Sequence, residues 1–115
     1  MIADKGLLTQ IFKLKNSPKV EDRIKYIFNG ESVMNYLGKG SPYMDKDFFS
    51  ILEKWVNDPT TASKLKKEIF SFFLRKQDYT TIYSYWRYLS VSEKKELLNQ
   101  WKQTPRFQSS MEYLL

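Results

Sequence analysis

Between Lys64 and Leu89 the chain reads KLKKEIFSFFLRKQDYTTIYSYWRYL, and the spacing of its apolar residues leaves little room for anything but helix. Leu65, Ile69, Phe72 and Phe73 fall on one side of a helical cylinder, while Lys64, Lys67, Ser71 and Arg75 form a stripe well around from them. One face requires a core; the other requires water or an anion. The second half of this stretch, 79–89, is rich in Tyr, Thr, Ile and Trp, which also suit strands. Helix is nevertheless the expectation there. Tyr79, Ile82, Tyr83 and Trp86 share a helical face, no partner strand is evident, and a lone strand leaves its backbone unpaired.

The rest of the chain is cut into helical lengths by turn residues. Leu7, Leu8, Ile11 and Phe12 mark a first helix over about 2–15, with Gly6 weakening its first turn. Asn16, Ser17 and Pro18 stop it. Ser17 is placed to cap a second helix with Pro18 in its first turn, and Val20, Ile24, Ile27 and Phe28 line its apolar side until Asn29 and Gly30. A further short helix is expected over 31–37, before the loop Gly38, Lys39, Gly40, Ser41, Pro42. Phe48, Leu52, Trp55 and Val56 give an amphipathic helix over 45–57, with Asp45 and Asp47 in the first turn where the helix dipole favours negative charge. Asn57, Asp58 and Pro59 separate it from the basic helix, read as 59–76. Asp78 is placed to cap the following segment, and Ser90 with Glu93 has capping-box spacing ahead of Leu97, Leu98 and Trp101. Thr104 and Pro105 close that helix. ILEKWVNDP at 51–59 is echoed by LLNQWKQTP at 97–105, a similarity two copies are too few to make a repeat array.

A chain of 115 residues fits one core, and that size folds without disulfides or metals. The fold class is therefore read as all-α: a single compact domain of about six or seven short helices around an aromatic-rich core. The helical domain spans 1–104, and 105–115 form a tail or a final short helix. The chain holds no Cys and no His, which removes disulfides, thiolate metal sites and the commonest general base. No cofactor is called for, no membrane span is evident, and the start of the chain lacks signal-peptide organisation. A cytoplasmic, non-enzymatic protein is the expectation, with no small-molecule substrate evident.

The candidate sites are few. Asp45 and Asp47 form too sparse a set for a divalent cation. GKGS at 38–41 lacks the spacing of a phosphate-binding loop and no buried strand precedes it. Lys64, Lys66, Lys67, Arg75 and Lys76 are candidate nucleic-acid contacts, with the Tyr-rich segment after them able to stack unpaired bases; the competing reading is a solvated helix face. A basic amphipathic helix also suits a membrane surface, but Leu65, Ile69, Phe72 and Phe73 are the groups the core needs most. Eight Tyr, eight Phe and three Trp exceed what a core of this size absorbs, and aromatics anchor protein interfaces. The leading expectation is thus a small basic adaptor or regulatory protein that docks on a larger protein, with direct nucleic-acid binding as the alternative.

At the C-terminus, QSSMEYLL resembles the sliding-clamp-binding peptides of replication proteins, in which a Gln is followed by an aliphatic plug and two terminal apolar residues. It also resembles the short acidic-aromatic-leucine tails of phage proteins that dock on a phage-encoded clamp. The resemblance implies protein-binding roles for Gln108, Met111, Tyr113, Leu114 and Leu115, and a clamp-tethered replication or transcription factor. Clamp peptides of the Gln type end in aromatics, where this chain has Leu114 and Leu115. The alternative is a final helix packed on the core.

Overall fold

The computed structural model describes residues 2–104, with side chains from residue 9 onward. These residues are helical, with no strand among them. The all-α reading holds. The helices are α1 (Ile2–Asn16), α2 (Val20–Leu37), α3 (Phe48–Asn57), α4 (Ser63–Arg75), α5 (Tyr79–Tyr85) and α6 (Val91–Trp101), with a 3-10 turn at Trp86–Tyr88. The chain divides into two units, Met1–Trp55 and Val56–Leu115, and the division falls inside α3, at no turn or linker. The glycine-rich loop lies within the first unit.

In the first unit α1 packs against α2. Ile11 is buried as its spacing demands, but Phe12, expected on the same apolar side, is about half exposed, as is Phe28 on α2. The two-helix reading of 18–37 is also corrected. α2 runs unbroken through Asn29 and Gly30 to Leu37. A Cβ built at Gly30 would overlap the Phe48 ring, so the missing side chain serves close approach to α3 rather than helix termination. Tyr26 completes this contact, its ring 5.3 Å from Phe48 and edge-on to Trp55 at 5.7 Å.

The starts of α2, α3 and α4 lie later than the sequence placed them. α2 begins at Val20 with Lys19 at its N-cap and no side-chain cap. Ser17 instead accepts the Lys19 N–H and donates to Asp22. α4 begins at Ser63 rather than Pro59, because Asp58 turns the chain by accepting both the N–H and the hydroxyl of Thr60.

The second unit is built on α4, against which α5 and α6 pack. Leu65, Ile69, Phe70, Phe72, Phe73 and Leu74 are all buried. α4 ends in a Schellman motif: the Asp78 N–H reaches the Phe73 carbonyl, the Gln77 N–H reaches that of Leu74, and Gln77 takes a φ of 57°. Asp78 then caps α5 by accepting from the Thr81 N–H. Ser90 and Glu93 form the expected capping box at α6. Glu93 also accepts from Ser63 and faces Lys66; burial pushes its carboxyl up, but these partners and Ser90 outweigh it and hold the carboxyl below its ordinary range.

Candidate functional site

The segment between α5 and α6 is pinned on one side and displayed on the other. Ile82 and Leu89 are buried at its two ends, and Trp86 turns inward, its ring 5.9 Å from both Phe70 and Trp101. Three residues per 3-10 turn then carry the neighbours of Trp86 outward. Tyr83 (42 %), Tyr88 (36 %) and Val91 (67 %) stay exposed. The Tyr88 ring lies 5.8 Å from that of Tyr85. Arg87 stacks its guanidinium 5.1 Å from the centre of the Tyr88 ring and donates to the Tyr88 hydroxyl at 3.2 Å. Such stacking orders two long side chains before anything binds. The sequence signal for this cluster is YWRY at 85–88, in which an Arg sits among aromatics.

The basic candidates are scattered by the fold rather than aligned. Lys64 and Arg75 are exposed at opposite ends of α4, and Lys76 follows the helix end, half-buried. Lys66 is buried and faces Glu93 of α6. Lys67 forms an ion pair with Glu96. The middle of the stripe is therefore neutralised by α6, an arrangement that the sequence of α4 alone does not contain.

The loop between α2 and α3 has an electrostatic anchor. Asp45 accepts from Lys15 Nζ at 3.0 Å and from the Tyr26 hydroxyl at 2.7 Å through Oδ2, and from the Asp47 N–H at 3.0 Å through Oδ1. Burial pushes its carboxyl up, yet the Asp47 N–H, Tyr26 and Lys15 together more than reverse this and hold it below its ordinary value. Tyr26 is pushed far up, first by burial and then by Asp45. Asp45 and Asp47 thus both lie before α3 rather than in its first turn, and Asp45 fastens the loop to α1 and α2. Nor is the loop a phosphate cradle: the N–H groups of Ser41, Tyr43 and Met44 are taken up within it, by Gly38 O, Ser41 Oγ and Ser41 O.

Among the described residues no group of three or more acidic side chains is gathered as for a metal ion, and no helix is long and apolar enough to cross a membrane. Gln108, Met111, Tyr113, Leu114 and Leu115, the residues of the clamp-peptide resemblance, lie outside the described residues. The chain matches no protein-family model, no curated protein and no solved structure.

Proposed function

We propose that this protein is a non-enzymatic adaptor that docks on an acidic face of a larger protein through Tyr83, Tyr85, Arg87 and Tyr88. The observation that carries this reading is the pre-stacked, exposed Arg87–Tyr88 pair, with the Tyr85 ring against Tyr88 and Tyr83 exposed on α5. Tyr and Arg are the residue types that dominate interface energies. The formal charge of +6 favours an acidic partner by long-range attraction. Direct nucleic-acid binding through α4 is the weaker reading, because Lys66 and Lys67 already face Glu93 and Glu96.

The test is a pull-down from source-cell lysate with nuclease treatment, comparing the intact chain, a Tyr83→Ala/Arg87→Ala/Tyr88→Ala variant and a chain ending at Thr104. The expected result is a nuclease-resistant partner kept by the shortened chain and lost by the triple variant. A partner retained by the triple variant overturns the assignment. Recovery of a sliding clamp only through 105–115 replaces it with clamp tethering, and loss of all binding on nuclease treatment replaces it with nucleic-acid binding.

A further inference from the structure

The loop 38–47 does more than join two helices. Its own turns and the first turn of α3 form a cleft of about 330 Å³, lined by Lys39, Ser41, Pro42, Met44, Lys46 and Phe49 together with Asp45. That volume lies at the lower end of small-molecule sites. Its chemistry is two-sided. Pro42, Met44 and the ring of Phe49 supply apolar walls, and Lys39 holds its ammonium 5.5 Å from the centre of the Phe49 ring. Lys46 is exposed, and neither Lys is paired with a carboxylate among the described residues. The Asp45 charge is offset by Lys15 and by two further donors, which leaves the ammoniums of Lys39 and Lys46 as the uncompensated charges of the lining.

The anchor explains why the cleft is a formed site rather than slack in a loop. Asp45 and Lys15 keep only 7 % and 10 % of their side-chain surface, and removing such charges from water is costly unless they are fully partnered. The chain accepts that cost to fasten one residue of an otherwise irregular segment. Loops held rigidly in this way are where binding sites are built.

We infer that this cleft binds a small aromatic carboxylate, its ring against Phe49 and Met44 and its carboxylate between Lys39 and Lys46. A carboxylate satisfies two ammoniums at once, and a ring suits the apolar walls. The site is independent of the Tyr83–Tyr88 segment.

Amide chemical shifts measured during titration of the full chain with phenylacetate, and separately with neutral phenylacetamide, test this. Saturable shifts at Ser41, Lys46 and Phe49 are expected, with a dissociation constant on the order of 1 mM and binding of the amide at least about tenfold weaker. Lys39→Gln/Lys46→Gln, both changes at exposed positions, is expected to abolish the phenylacetate shifts while leaving the far-ultraviolet circular dichroism unchanged. No shift up to about 20 mM, equal shifts with the amide, undiminished shifts in the double variant, or shifts centred elsewhere would each overturn the assignment.

Discussion

Gly30 is under two opposing demands. Inside α2 a glycine costs about 1 kcal/mol relative to alanine, yet any side chain there meets the Phe48 ring. Overpacking a filled site costs about 1–3 kcal/mol, so Gly30→Ala is expected to destabilise by up to about 2 kcal/mol net. Urea unfolding checks this, and Phe48→Leu in the same chain should remove most of the penalty. Asp45 makes a second prediction. Its carboxyl is held below its ordinary value of 3.8, so its stabilising contribution is complete above that pH and is lost as pH falls through the lowered folded-state value. Asp45→Asn should cost about 2 kcal/mol at neutral pH. The gap between the two unfolding free energies should then close on acidification below 3.8; a gap constant down to about pH 2 would disprove the linkage. Glu93 titrates in the same acidic direction, but it is present in both proteins and cancels. Neither role is legible locally: Gly30 reads as a stop signal, and Asp45 as a helix-dipole residue, because their partners lie far along the chain.

At the scale of elements, local chemistry and tertiary packing can be told apart by which boundaries the sequence predicts. The Ser90–Glu93 capping box and the Asp78 cap are as their spacing predicts, since each needs only residues within one turn. The 79–85 segment is helical despite strand-favouring residues, because Ile82 is buried and no strand among the described residues pairs with it. The α4 terminus exposes a local cost. Gln77 adopts a φ of 57°, a conformation that penalises a side chain by about 1 kcal/mol. Gln77→Gly is expected to raise stability by about that amount, measured as an increase in the urea midpoint at unchanged slope. An unchanged midpoint would mean that the Gln77 side chain contributes as much as its backbone conformation costs.

For the molecule as a whole, the charge excess sets a weak attraction to any polyanion, and the fold decides how much of it is directed. With Lys66 and Lys67 turned onto α6, binding to single-stranded DNA is expected to be weak and largely lost between about 50 and 200 mM salt. Fluorescence anisotropy should show it insensitive to Tyr83→Ala and Tyr88→Ala; tight, salt-resistant binding that depends on those tyrosines would instead make them a base-stacking platform. The sequence by itself determined the helical class, the capped starts of α5 and α6 and most of the residues that turn inward, because hydrophobic period, caps and turns act over a few residues. It also supplied the surplus of aromatics without saying which would remain outside. Only the tertiary structure decided that Gly30 receives Phe48, that Asp45 fastens a loop through Lys15 and Tyr26, that α6 neutralises the middle of the basic stripe, and that Arg87 stacks on Tyr88 in the open. The first three depend on side chains brought together from distant positions. The fourth joins neighbours, but their exposure depends on which residues the core has already taken in, and neither condition is written in local spacing.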